Sequence, residues 1–156
     1  MRQVAWVPDA GHARVLERVL GEPGMAGIPL TTEEEGVALA CGAWLGGERA
    51  VLLMQSSGVG NCVNMLSLVT SCRFPFVVLV TMRGEWEEFN GWQVPMGRAT
   101  PRVLEEMGVT VLRADEPGEV GGTVRAALDA AFGAGGAVAV LLSQRLVGRK
   151  EWGGGR

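Results

Sequence analysis

Short runs of consecutive apolar residues alternate along this chain with longer stretches whose apolar positions recur every three or four residues. Residues 4–7 predict a strand, and residues 12–20 a helix with Val15, Leu16, Val19 and Leu20 on one face. Gly21, Pro23 and Gly24 stop that helix. Residues 28–30 predict a short strand, and two threonines followed by three glutamates open a helix that runs to about Leu45. In it Val37, Ala40, Cys41 and Trp44 form one stripe, and Ala38, Gly42 and Leu45 a second, as in a helix packed closely on two sides. Residues 50–54 and 76–80 are apolar throughout, the pattern of strands buried on both faces. Between them, 55–60 predicts a small-residue loop and 61–72 a helix. Residues 83–100 show no period and are rich in Gly, Trp and charge; loops of that length are often functional. Pro101 predicts the start of a helix reaching Met107, followed by a strand at 109–112, a helix at 117–132 and a strand at 137–142.

Strands that are solid apolar runs, separated by helices, predict an α/β fold: three layers, α/β/α, around a mostly parallel sheet of about six strands. A single domain is expected over 1–145, with 146–156 a flexible tail. Such sheets bind ligands beyond the carboxyl ends of their strands. Here those ends carry Pro8 and Asp9, Thr31 to Glu33, Gln55 to Gly60, Thr81 to Gly84, and Ser143 with Gln144.

Composition narrows the function classes. With 156 residues, 47% hydrophobic, the chain can build a core, and disorder is excluded. A net charge of −3 without any basic block argues against electrostatic binding of nucleic acid. No apolar run approaches the roughly 18 residues of a membrane span. The apolar run at 4–7 is too short for a signal peptide, so a cytoplasmic location is expected. Cys41, Cys62 and Cys72 lie in apolar segments without metal-ligand spacing and read as reduced core thiols. His12 is the only histidine, and no metal site is expected on this chain.

Two motifs fail on inspection. Gly58-Val59-Gly60 lacks the third glycine of a dinucleotide loop, where Val63 stands, and no acid ends the next strand. Ser57 has no base near it in sequence to make it a nucleophile. The glutamates are more informative. Thr31 with Glu34, and Thr32 with Glu35, each fit a capping box, which accounts for two acids and leaves Glu33 at the strand-to-helix junction, free to point over the sheet edge.

The segment from Glu33 to Gly42 resembles the glutamate motif of thiamine-diphosphate-dependent enzymes, an acid nine residues before a helix glycine. Met54 to Asn61 is similar to the loop of the decarboxylases acting on sulfopyruvate and phosphonopyruvate; Val7-Pro8-Asp9 and Arg83-Gly84 also fit. Gln93 to Thr100 resembles the alpha subunits of sulfopyruvate decarboxylases in particular. The resemblance implies a thiamine-diphosphate pyrimidine-binding domain in which Glu33 is catalytic, hydrogen-bonding N1′ of the aminopyrimidine. It further implies that Gln55, Ser56, Ser57, Gly58 and Asn61 contribute to cofactor binding, and that burial in an apolar pocket raises the pKa of Glu33. Asp9, His12, Arg83, Gln93 and Arg98 are the substrate-binding candidates, the arginines because their planar forks suit multi-oxygen anions. Local evidence alone reads His12 as a solvated or capping residue and the two arginines as surface charges as readily as ligands.

The family's diphosphate-binding domain carries Gly-Asp-Gly, which this sequence lacks. The resemblance therefore implies a beta subunit that holds Mg²⁺ and the diphosphate, and a hetero-oligomer with the cofactor at its subunit boundary. Sulfopyruvate is the expected substrate; Trp92-Gln93 stands where phosphonopyruvate enzymes tend to carry Gln-His. Phosphonopyruvate remains an alternative, as does a non-catalytic nucleotide-binding or regulatory module in which Glu33 merely caps its helix. Relatives carry a helix before the first strand, whereas here the strand begins within a few residues of Met1: the start is misassigned, the chain is truncated, or a partner covers the sheet, and a face left bare would be an apolar patch consistent with oligomerisation.

Overall fold

The computed structural model describes residues 1–148. Its elements in chain order are β1 (Gln3–Trp6), α1 (Ala13–Gly21), β2 (Ala26–Pro29), α2 (Glu33–Leu45), β3 (Ala50–Gln55), α3 (Ser56–Cys72) and β4 (Phe76–Thr81), then α4 (Val94–Glu106), β5 (Thr110–Ala114), α5 (Pro117–Phe132), β6 (Ala137–Leu142) and α6 (Gln144–Val147). Short 3₁₀ turns at Ala10–His12 and Gly91–Gln93 lead into α1 and α4. The six strands are parallel throughout, in the order β2-β1-β3-β4-β6-β5.

Alternate residues of each strand feed two cores. Leu52 and Met54 of β3, with Val78 and Val80 of β4, meet α2, α3 and α4 through Val37, Cys41, Cys62, Leu66 and Leu104. Val51 and Leu53, with Val77 and Leu79, meet α1 and α5 through Val19, Ala127 and Ala131. Both faces of the central strands are covered, and that is why their sequences are apolar without alternation. The second face is less fully covered. Between α1 and α5 an apolar groove of about 310 Å³ runs over Val4, Val51, Leu53, Val77 and Leu79. No helix among the described residues is long and apolar enough to cross a membrane.

Several expectations need correction. The edge strand β2 lies at Ala26–Pro29, two residues before the expected position. Residues 56–60 are not a loop: α3 begins directly after β3. Pro101 lies inside α4, which starts at Val94 with a proline in its first turn, so the segment 83–100 is half helix. The helix α6 runs on to Val147, two residues into the segment expected as a tail; residues 149–156 lie outside the described residues. Cys41 and Cys62 are buried free thiols as expected, but Cys72, at the end of α3, is exposed.

Candidate active site at the carboxyl ends of the strands

From β1 the chain turns into α1 on one face of the sheet, and from β3 into α3 on the other. Adjacent strands whose connections diverge in this way leave a crevice at their carboxyl ends. Val7, Pro8, Asp9, Glu33, Gln55 and Ser57 line it, around a cleft of about 110 Å³.

A polar relay crosses the floor of this crevice. The hydroxyl of Ser57 donates to Gln55 Oε1 at 3.0 Å, and Gln55 Nε2 donates to Asp9 Oδ1 at 3.2 Å. The hydroxyl of Thr81, at the end of β4, donates to Asp9 Oδ2 at 2.6 Å. Both carboxylate oxygens of Asp9 are thereby engaged, and the orientation of the Gln55 amide is set by its two neighbours. His12 lies beneath and is 1% exposed. Its Nε2 lies 3.1 Å from the carbonyl of Met54, an acceptor only, which makes Nε2 the protonated nitrogen. Burial pushes its pKa down, so the ring is neutral, and Nδ1 is enclosed without a partner. His12 is therefore not solvated, and although it stands at the N-cap position of α1 its side chain makes no cap bond; it props the end of β3 instead.

Glu33 opens α2 on the far wall. Asn61 Nδ2 donates to its Oε2 at 2.8 Å. The carboxyl rests on the bare backbone of Gly58, where a Cβ would stand 2.6 Å from both Cδ and Oε1 of Glu33. Oε1 has no hydrogen-bond partner among the described residues. The capping is simpler than expected. Glu35 alone closes the capping box, accepting from the backbone N–H groups of Thr31 at 2.9 Å and Thr32 at 3.4 Å. Glu34 does not cap; its Oε2 is enclosed without a partner. Beside both acids lies Cys62, whose thiol is pushed up to about 12 by burial first and then by the charges of Glu33 and Glu34. The apolar enclosure expected around Glu33 is not provided by this chain: the residue is half-buried and Asn61 beside it is exposed.

Other expected site residues lie elsewhere. Ser56 is fully buried with its back to the cleft; its hydroxyl accepts from the Arg83 backbone N–H at 3.1 Å, and its carbonyl accepts from the Thr100 hydroxyl at 3.2 Å. The Arg83 side chain is no free anion binder and no surface charge. It is buried and forks onto Glu88, its Nε 2.6 Å from Oε2. Gln93 encloses its Oε1 without a partner. Arg98 is exposed on α4. Ser57 links the cleft to an open apolar groove of about 660 Å³ lined by Gly91, Trp92, Pro95, Met96 and Ala99. Sequence reading names Thr81 and Gln144 only as positions at strand ends, without a role, and misses Glu88, which sits in the segment 83–100 that has no period.

Comparison with known proteins gives the relationship. No protein-family profile matches the chain. Sulfopyruvate decarboxylase subunit alpha of Methanothermobacter thermautotrophicus is 39% identical over 137 residues, covering 87% of this chain and 83% of that protein. Its counterpart in Methanococcus maripaludis is 34% identical over 140 residues, 89% of this chain and 84% of that one. Phosphonopyruvate decarboxylase of Streptomyces viridochromogenes is 39% identical over 104 residues, but these make up only 26% of that protein. A solved 2-oxoglutarate:ferredoxin oxidoreductase from Magnetococcus marinus has the same fold, with a TM-score of 0.77 at 16% identity over the whole of this chain and 31% of its own. Likeness to the alpha subunits thus extends over nearly their full length, whereas the longer proteins match in one part only. The chain belongs to the sulfopyruvate decarboxylase subunit alpha family.

Proposed function

We propose that this chain is the pyrimidine-binding half of a thiamine-diphosphate-dependent decarboxylase that converts sulfopyruvate to sulfoacetaldehyde and carbon dioxide together with a beta subunit. The observation that carries this reading is the Glu33 carboxyl, seated on a glycine at the β1/β3 crevice with one oxygen held by Asn61 and the other unengaged. A side chain at residue 58 would fill that seat, so the donor set fits an aminopyrimidine edge. The size of the cleft fits too: about 110 Å³ has room for one small ring, whereas sites that enclose a whole ligand run to roughly 300 Å³ or more. The remainder of the cofactor, its diphosphate and Mg²⁺ fall to the beta subunit, consistent with the absence of Gly-Asp-Gly from this sequence.

When bound, thiamine diphosphate supplies an electron sink for the pair left behind as carbon dioxide departs from a 2-oxoacid. The protein's part is to hold and move protons and to orient. Glu33 Oε1 would hydrogen-bond the aminopyrimidine at N1′, while the Asn61 bond fixes the plane of the carboxyl. Gln55 and Ser57, locked to each other and to Asp9, offer a rigid polar edge to the ring and the substrate. Arg98 is the candidate for the sulfonate or carboxylate, since the charge of Arg83 is already neutralised. Docking of the beta subunit over Asn61 and Glu33 would exclude water and supply the dry surroundings that this chain lacks by itself.

The test is made with the chain assembled on a beta subunit that carries Gly-Asp-Gly. The complex is expected to bind thiamine diphosphate and release carbon dioxide from sulfopyruvate faster than from phosphonopyruvate or pyruvate, and the lone chain to be inactive. Glu33→Gln should leave folding intact and nearly abolish turnover. Decarboxylation by that variant at the wild-type rate would falsify the assignment.

A further inference from the structure

A second divergence of connections lies on the other half of the sheet. The chain leaves β4 toward α4 on one face and β5 toward α5 on the other, with β6 between them. Here the protein's own loop enters the crevice and Glu88 fastens it, while a pocket of about 330 Å³ stays open beside it between Glu85, Arg113, Asp115, Ser143 and Arg145. The Glu88 side chain is only 4% exposed. Its carboxylate accepts from Arg83 Nε and Nη2, from the backbone N–H groups of Gly84 at 3.2 Å and Asn90 at 3.0 Å, and from Gln144 Nε2 at 2.9 Å. A carboxylate has about four lone-pair sites, so this one is saturated. Gln144, the first residue of α6, completes the lock, accepting at Oε1 from the N–H groups of Glu85 and Trp86.

The lock extends to the cleft. Asn90, held by Glu88, accepts at Oδ1 from the N–H of Trp92 at 3.2 Å, and its carbonyl accepts from the N–H of Gln93 at 3.0 Å. This fixes the 3₁₀ turn that starts α4. Gly84, at φ +75°, lies so close that a Cβ would stand 2.7 Å from the Gln93 carbonyl oxygen, and one on Gly97 would overlap the carbonyl of Arg83. The wall comprising Gly91, Trp92, Pro95 and Met96 is thereby set opposite Ser57, which lines the cofactor cleft as well. A buried ion pair is a poor means of gaining stability, since apolar packing of the same volume usually serves as well or better. Its particular capacity is to select one geometry among many.

We infer that Glu88 is a positioning residue: through Asn90 it places the wall at residues 91–96 beside Ser57 and so sets how well the complex holds its 2-oxoacid. This rests on reading the cleft as the reacting site. The experiment uses the assembled complex with Glu88→Gln and, separately, Asn90→Ala, which leaves the Arg83–Glu88 pair untouched and decides alone should the first variant fail to fold. Both should raise KM for the 2-oxoacid about tenfold, since misplacement by an ångström costs up to about a hundredfold. Affinity for thiamine diphosphate should stay within about twofold of wild type, marking the loss as specific to the substrate. Amide exchange at Trp92 and Gln93 should accelerate while that of β4 stays slow. Unchanged KM in a variant whose 92–93 amides have loosened overturns the inference, and so does an equal loss of cofactor affinity. A wild-type complex without cofactor-dependent carbon dioxide release overturns the proposed function and this inference together, whereas normal wild-type turnover with unchanged KM in both variants overturns this inference alone.

Discussion

Adding one methyl group at Gly58 separates folding from function. Its Cβ would lie nearest to Cγ of Glu33 and 2.6 Å from Cδ and Oε1, and ordinary contact begins near 3.4 Å, so the side chain must recede by about 1 Å. Such a shift carries the 2.8 Å Asn61 bond beyond hydrogen-bond range and moves Oε1 off its seat. The fold has little reason to suffer. Gly58 lies in the first turn of α3 with ordinary backbone angles, and replacing a helical glycine by alanine contributes up to about 1 kcal/mol, which offsets the lost surface bond. Cofactor binding loses a hydrogen bond to a charged group, worth about 1.5–3 kcal/mol, or roughly ten- to a hundredfold in affinity. The assay is calorimetric titration of the assembled Gly58→Ala complex with thiamine diphosphate, alongside thermal unfolding. Gly122→Ala, in α5 with open space around it, serves as the control for helix propensity. Wild-type affinity and turnover in Gly58→Ala would show that the seat of Glu33 has no part in holding the ring.

Three further outcomes follow from the same geometry. Glu88 is held down to about 2 from 4.5, chiefly by its hydrogen bonds from Arg83, so its contribution to stability is complete above pH 4.5 and lost as pH falls toward 2. The urea midpoint of the wild-type chain should therefore fall across that window more steeply than that of Glu88→Gln, and parallel curves would refute the pairing. Among the cysteines, Cys72 is exposed, whereas burial raises the thiols of Cys41 and Cys62, the latter to about 12. A thiol reagent should modify Cys72 quickly in the native protein and the other two only in denaturant, as mass spectrometry of the labelled chain would reveal. Leu52, fully buried at the centre of β3, should cost about 2–5 kcal/mol when replaced by alanine, read from urea unfolding; a smaller loss would mean that α2 collapses onto the cavity.

The sheet is legible in the sequence where burial is two-sided. Residues 50–54, 76–80 and 137–142 have helices on both faces, so no position is left for a polar residue to obscure the pattern. The edge strand at Ala26–Pro29 has both ends exposed and no such signature, and it is misplaced by two residues. The start of α3 reads as a loop because Ser56, Ser57, Gly58 and Gly60 are poor helix formers. Their small size serves the close approach of Glu33 and of the Arg83 backbone, a tertiary demand invisible to propensity. Glu33 itself stands out only because its two neighbours can be assigned elsewhere, and one of those assignments, for Glu34, does not hold. The lock on the 83–93 loop is not legible at all. Glu88 meets Arg83 five residues away and Gln144 fifty-six away, and no local period encodes either pairing.

The distribution of polar demand explains why the two crevices behave differently. Buried polar atoms almost always find partners, so those that do not call for an explanation. Among the described residues three side-chain atoms are enclosed without a partner: His12 Nδ1, Glu34 Oε2 and Gln93 Oε1. All three follow the carboxyl end of a strand: His12 after β1, Glu34 after β2 and Gln93 after β4. In the β4/β6 crevice Glu88 and Gln144 satisfy one another and the backbone groups they reach, so that the Glu88 carboxylate is saturated. At the β1/β3 crevice Glu33 is not, with an unengaged carboxylate oxygen at the rim. A fold that can saturate Glu88 from its own sequence could do so for Glu33 with a single asparagine or arginine. That it leaves the second one short, on the side bearing the exposed Trp92, is what a surface completed by another molecule requires.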